Sequence, residues 1–214
     1  MKNLVLPEID LSQPPTLNDH KYSYWNLIDD TNHDYVCFEN ALSPTEVNEV
    51  IKIGRSFFVN QSLTADGTGH SDIRRSYNSW IPPCKVSNSL YVKLQKLVKD
   101  ANEYFCYELH SLENLQYTEY DEEYSGHYDM HKDQFKASNF PNFHRKLSFS
   151  VQLTDPSLYE GGDLMLYSEK APITAKKTLG TINFFPSYVL HQVTPITKGY
   201  RNCLVGWVSG PKFK

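Results

Sequence analysis

From about residue 113 to its end, the chain breaks into short runs of strand-forming residues separated by turn signals, and no stretch there holds a helical period. The runs fall near 114–122, 126–134, 145–154, 163–168, 178–185, 190–196 and 200–209. Short strands succeeding one another at this spacing close a core most simply as a sandwich or jelly roll. The aromatic content agrees, because 14% aromatic residues with 15 tyrosines suits strands better than a helical bundle. One run alternates cleanly: Leu147, Phe149, Val151 and Leu153 fall on one face, and Ser148, Ser150 and Gln152 on the other. That polar face either meets solvent or lines a polar cavity, and alternation alone does not choose.

The first half reads differently. Residues 1–30 carry Pro7, Pro14 and Pro15 and little periodicity, which predicts an extended arm with Trp25 as an anchor. A short strand follows over 34–42. Ser43-Pro44-Thr45-Glu46 is a capping box with proline at the first helical position, and Val47, Val50 and Ile51 continue the helix to a point before Asn60. Residues 59–70 have loop composition and serve as a surface connection or as a lid near a substrate entrance. After a strand over 71–81, a second helix fits Ser87 to Cys106, with Leu90, Val92, Leu94, Leu97, Val98, Ala101 and Phe105 as its apolar stripe. The expected fold class is mainly β (α+β), with two helices supporting the strand-rich part. One domain is expected over 1–214, with arm, helices and flanking strands in 1–112 and the β core in 113–210.

Composition narrows the partners. A net charge of -4 and a pI near 6.0, with no run of Lys or Arg, give no attraction to a phosphate backbone, so nucleic acid is not an expected partner. No stretch is long and apolar enough for a signal peptide or a membrane span. Cys37, Cys84, Cys106 and Cys203 are scattered, as free thiols in a reducing compartment would be. These readings make the cytoplasm the expected location.

The chemistry concentrates in Tyr120 to Asp133, YDEEYSGHYDMHKD. On a regular strand His127, Asp129, His131 and Asp133 share one face, which makes two overlapping His-x-Asp pairs. Tyr124 and Tyr128 each stand three residues before one of the histidines. A third ligand is available in His191, which follows an apolar strand and Pro186-Ser187, and Arg201 comes ten residues later. Two imidazoles and one carboxylate on one face of an octahedral ion leave positions open, the arrangement of non-haem Fe(II) oxygenases. A 2-oxo acid chelating such an ion needs a fixed cation for its far carboxylate, and the planar fork of Arg201 suits that task. The residues themselves leave both His-x-Asp pairs open.

Taken together, the Tyr-x-x-His-x-Asp segment, Arg145 to Asp155 (RKLSFSVQLTD), Gly161-Gly162-Asp163-Leu164 and the closing stretch from Gly180 to Pro211 resemble the Fe(II)/2-oxoglutarate-dependent dioxygenases of the prolyl 4-hydroxylase type. The resemblance implies a double-stranded β-helix (jelly roll) core. It implies iron on His131, Asp133 and His191, with Arg201 holding the far carboxylate of 2-oxoglutarate. Tyr120 matches a family tyrosine about ten residues ahead of the first ligand that faces the cosubstrate, and this spacing selects His131/Asp133 over His127/Asp129. Trp207, on the strand face of Arg201, Cys203 and Val205, would wall the pocket, and Gln152 stands where some relatives carry a tyrosine that faces the cosubstrate.

The implied reaction consumes Fe(II)-bound 2-oxoglutarate and O2, with ascorbate as a reductant, and releases succinate and CO2 as a substrate C–H bond is hydroxylated. A prolyl residue in a peptide or protein is the implied substrate, with the 59–70 loop, Arg74, Arg75 and the 134–144 loop as contacts. The alternatives are an oxygenase of a free amino acid or other small molecule, a zinc-dependent or cupin-like isomerase or hydrolase, and a non-catalytic jelly-roll binding module.

Overall fold

The structure, a computed structural model, describes residues 34–57, 59–62, 72–134, 142–168 and 171–213. The expected N-terminal arm with Trp25, most of the 59–70 loop, Ser71 and most of the 134–144 loop lie outside the described residues. Residues Asn32–Lys214 form one compact unit. In chain order its elements are β1 (Val36–Phe38), α1 (Pro44–Ser56), β2 (Asn60–Gln61), β3 (Arg74–Arg75), β4 (Tyr77–Ile81), α2 (Asn88–Phe105), β5 (Ser111–Leu112), β6 (Leu115–Asp121), β7 (His127–His131), β8 (Phe143–Gln152), β9 (Tyr159–Gly161), β10 (Leu164–Tyr167), β11 (Pro172–Thr174), β12 (Ile182–Pro186), β13 (Leu190–Val193) and β14 (Ile196–Pro211).

The strands make two antiparallel sheets. The larger has nine strands in the order β1-β12-β8-β14-β6-β4-β2, with β5 and β9 pairing β14 off that path. The smaller has five in the order β11-β10-β13-β7-β3. Every run expected from the alternation is present. β14 is longer than expected and β7 shorter, and β2, β5, β9 and β11 are two- or three-residue strands that no side-chain period announces.

Both helices sit where the sequence predicts. At α1 the Ser43 hydroxyl accepts the Glu46 N–H at 3.3 Å while Glu46 Oε2 accepts the Ser43 N–H at 2.8 Å, so the box closes reciprocally. Burial falls on Val47, Val50 and Gly54, and a Cβ at Gly54 would lie 2.4 Å from Tyr117 Cγ, so glycine lets the helix approach β6 closely. α2 buries Leu90, Leu94, Val98, Ala101 and Phe105, whose four- and three-residue spacing follows one helix face. Val92 lies off that face and is exposed, which corrects its place in the stripe. No helix among the described residues is long and apolar enough to cross a membrane. All four cysteines are free thiols.

Two apolar clusters result. One joins both helices to Leu147, Phe149 and Val151 of β8, with Phe184 and Leu204. The other gathers Tyr120, Leu164, Leu166, Phe185, Val193 and Cys203 from both sheets. The inward polar face of β8 is therefore not solvated: Ser148, Ser150 and Gln152 are all buried.

Gly180 ties the turn after Leu179 to Leu42. Its φ is +74°, a Cβ there would lie 2.0 Å from the Leu42 carbonyl oxygen, and its own carbonyl accepts the Leu42 N–H at 3.0 Å. Gly180→Ala is expected to lower stability by about 2 kcal/mol or more, combining positive-φ strain with a backbone clash. Urea unfolding checks this as a lower midpoint at an unchanged slope.

Candidate metal centre

The centre is built across the β7/β13 pair. His191 lies opposite His131, and Val193 lies opposite Tyr128, so two steps along β13 match three along β7. The extra residue is a β-bulge, and it reverses the alternation of β7 part-way along. Tyr128 and His131 consequently face the same way, with rings stacked at 3.6 Å and 18°. His127 faces away: its Nδ1 lies 2.7 Å from the Ser125 carbonyl and its Nε2 3.0 Å from that of Asp72. Asp129 is exposed. The expectation that His127, Asp129, His131 and Asp133 share a face is therefore corrected, and the bulge is the reason.

His131, Asp133 and His191 bring their ligand atoms within 4.8 Å of one another. Asp133 lies just past β7 and is held by its backbone N–H, which donates to the Ser187 carbonyl at 2.9 Å. Both histidines are oriented alike. His131 Nδ1 lies 2.7 Å from the Asp129 carbonyl, and His191 Nδ1 lies 2.9 Å from that of Val189. A carbonyl only accepts, so each Nδ1 carries a proton and each Nε2 presents a lone pair to the site. The two Nε2 atoms stand 3.7 and 3.5 Å from the Asp133 carboxylate oxygens. Beyond the carboxylate, Ser148 Oγ donates to Asp133 Oδ2 at 2.9 Å and itself lies 2.9 Å from Ser187 Oγ.

Burial and the charge of the neighbouring His191 push the His131 pKa down to about 4, against the pull of Asp133. Burial also opposes the charge on Asp133, yet the two imidazoles, with the Trp207 indole and Ser148, hold its carboxyl below the ordinary value. The Trp207 N–H is near enough to act on Asp133 without closing a hydrogen bond, and it has no partner among the described residues. A neutral His131 imidazole and an ionised Asp133 carboxylate are protonation states that a divalent cation requires.

At the other end of the same cavity, of about 720 Å³, stands Arg201. It lies opposite Tyr120 in the β14/β6 register, with its guanidinium 5.7 Å from that ring. Arg201, Cys203, Val205 and Trp207 alternate along β14, and all four line the cavity. Arg201 Nε donates to Gln152 Oε1 at 3.1 Å, whereas Nη1 is buried with no acceptor among the described residues. A buried guanidinium with an unused donor fits an anion that enters the cavity, such as the far carboxylate of a dicarboxylic acid.

Of the residues singled out from the sequence, His131, Asp133, His191, Arg201, Tyr120 and Trp207 all border this cavity. Gln152 does not; it stands behind Arg201, which changes its expected place from beside the cosubstrate to beside the guanidinium. Arg74 borders the cavity and packs 4.5 Å from the Tyr128 ring, whereas Arg75 pairs with Asp72. Sequence reasoning missed three features: Ser148 and Ser187 under Asp133, Tyr128 against His131, and the pairing of Trp80 with Trp207 at 5.9 Å. The inward polar alternation of β8 was the available signal for Ser148.

The profile of the 2OG-Fe(II) oxygenase superfamily matches residues 115–209, which include every member of this cluster and Arg201. A PKHD-type hydroxylase of Gloeothece citriformis is 30% identical over 175 residues, spanning 78% of this chain and 74% of that protein. The chain belongs to the 2OG-Fe(II) oxygenase superfamily. Another relative, a PKHD-type hydroxylase of Synechococcus sp. (strain CC9311), is 42% identical over 88 residues, 40% of this chain; the match covers only 38% of that hydroxylase. Among solved structures, the prolyl hydroxylase of Trichoplax adhaerens, in complex with a hypoxia inducible factor oxygen degradation domain peptide fragment, superposes with a TM-score of 0.67. It has 18% identity and covers 82% of this chain and 83% of that one, a likeness of fold. Enzymes of the oxygenase superfamily use Fe(II), 2-oxoglutarate and O2, and the donor set of this oxygenase suits both groups: nitrogen and carboxylate ligands for iron, an unsatisfied guanidinium for the dicarboxylate.

In the metal-free oxygenase the His131 imidazole is expected to titrate near pH 4. Its depressed pKa means that the folded state resists the proton the unfolded chain accepts. Its contribution to stability is complete above about pH 6.5 and is lost as pH falls toward 4. NMR titration of the imidazole resonances checks the midpoint, with His131→Gln identifying the signal.

Proposed function

We propose that the chain is a single oxygenase domain, its two antiparallel sheets forming a double-stranded β-helix, that hydroxylates a prolyl residue in a peptide or protein at the expense of 2-oxoglutarate and O2. The observation that carries this reading is the pairing, across one cavity, of a His131/Asp133/His191 donor set with the unsatisfied Arg201 Nη1. Iron bound by those three side chains supplies the oxidising chemistry, with succinate and CO2 as the products from 2-oxoglutarate.

The protein's own part is positioning. The Nδ1–H bonds to the carbonyls of Asp129 and Val189 fix both imidazoles before any metal arrives. Arg201 sets the direction from which a dicarboxylate enters, and Tyr120 packs beside it. Leu164, Phe185 and Val193 give the cavity an apolar wall that excludes water from the reacting groups.

The prolyl reading has two supports. The relatives named above are PKHD-type hydroxylases, and the fold neighbour is a prolyl hydroxylase bound to a peptide. Further, Trp80 borders the cavity beside Trp207 and offers an exposed indole, against which a compact pyrrolidine ring packs without losing rotamer entropy. Trp80 is 47% exposed, so this face is open to a chain too large to enter whole.

With Fe(II) added, the protein is expected to form succinate from 2-oxoglutarate in an oxygen-dependent manner. His131→Ala should abolish iron binding and turnover, whereas His127→Ala keeps both. Arg201→Ala should raise the KM for 2-oxoglutarate by about two orders of magnitude, the scale of losing a charge-assisted pair. Proline-containing peptide pools should gain one oxygen by mass spectrometry. A protein that holds iron but makes no succinate would overturn the oxygenase reading, and oxidation confined to free amino acids would overturn the peptide substrate.

A further inference from the structure

Behind Arg201 runs a hydrogen-bond chain whose direction has a single solution. A guanidinium can only donate, so the group 3.1 Å from Arg201 Nε must be the oxygen of the Gln152 amide. The amide nitrogen then faces the Thr154 carbonyl at 3.0 Å, which can only accept, and the Tyr159 hydroxyl oxygen at 2.8 Å. Both ends of the amide are thus satisfied in one orientation, and a flipped amide would set N–H against N–H at Arg201. The packing is equally tight. A Cβ at Gly162 would lie 2.4 Å from Ile196 Cδ1, 3.1 Å from Arg201 Cδ and 3.4 Å from Tyr159 Cε2, so Gly162 lets both side chains close over it.

What this chain withholds from Arg201 is a negative charge. Asp163, whose charge reaches Tyr159, is committed to Lys177 at 2.5 Å, and Lys177 in turn covers the Tyr159 ring at 5.2 Å. Arg145, by contrast, is paired with Glu113 at 2.8 Å on the same cavity, so the fold does neutralise one arginine and leaves the other to an amide. An amide orients a guanidinium through one N–H while leaving its full charge for a ligand; a carboxylate in the same place would orient and neutralise it together.

We propose that Gln152 is a positioning residue for the carboxylate subsite, an uncharged clamp, braced by Thr154 and Tyr159, that aims Arg201 Nη1 into the cavity. This rests on the oxygenase reading and adds to it the residue that sets affinity for the far carboxylate without touching it. Gln152→Glu is nearly isosteric and tests charge, Gln152→Leu tests the hydrogen bond, and Tyr159→Phe removes the phenol that both braces Gln152 and acts directly on Arg201.

The experiment is anaerobic calorimetry on the full chain loaded with Mn(II), which supports no turnover, titrated with 2-oxoglutarate and with 2-oxopentanoate, a 2-oxo acid lacking the far carboxylate. Gln152→Glu is expected to weaken 2-oxoglutarate by about tenfold or more while leaving 2-oxopentanoate unchanged. Gln152→Leu and Tyr159→Phe should weaken 2-oxoglutarate less, also without effect on 2-oxopentanoate. Parent-like 2-oxoglutarate affinity in Gln152→Glu, or equal loss for both acids in all three variants, overturns the proposal while the oxygenase reading stands. A parent protein that binds Mn(II) but neither acid overturns both.

Discussion

The pairing of His131 with His191 across two antiparallel strands is the constraint on which the site depends. Directly opposed residues on a sheet are brought together by backbone hydrogen bonds alone, and here the imidazole centroids lie 4.2 Å apart. Two imidazoles with Nε2 atoms turned to the same point gain little from each other, so the pair is maintained by what surrounds it. Phe185 packs edge-on to His191 and Tyr128 stacks on His131, while Asp133 is drawn under both by the Ser187 carbonyl. Asp133 bonds Ser148 of β8, so the small sheet's metal donors are registered against the large sheet. β14 then extends that register to Arg201, four residues along a strand beyond Val205 and opposite Tyr120.

The alternation of β8 and the capping box of α1 were legible because each is a side-chain pattern with one structural solution: period two for a strand, Ser and Glu three residues apart for a helix start. The short strands β2, β5, β9 and β11 were not, because pairs such as Ser111–Leu112 against β14 are made by backbone groups and leave no period in the side chains. The choice between His127 and His131 could not come from parity. Parity assumes a regular strand, and the bulge opposite His191 and Val193 is a property of the partner strand as much as of β7. Only the spacing from Tyr120, a feature of the family resemblance, selected the pair that the fold brings together with His191. Gln152 shows the same limit from the other side, since its position on the inward face was readable and its partner, a guanidinium 49 residues away in sequence, was not.

The two ends of the cavity carry opposite charges under one logic. Asp133 is buried beside two imidazoles and the Ser148 hydroxyl, which hold its carboxyl ionised, and Arg201 is buried and charged beside an amide. Each charge is oriented by neutral hydrogen-bonding groups and left uncompensated. Such an arrangement costs the folded protein several kcal/mol per ion in desolvation, and an ordinary core would have closed it with an ion pair, as Arg145 and Glu113 do nearby. A cation at one end and a dicarboxylate at the other remove both costs at once. In the proposed function a dicarboxylate would span from the metal to Arg201, so that binding at either end would raise the value of binding at the other. The buried charges that cost the fold stability are those that, on the proposed function, would select a metal chelator of the right length.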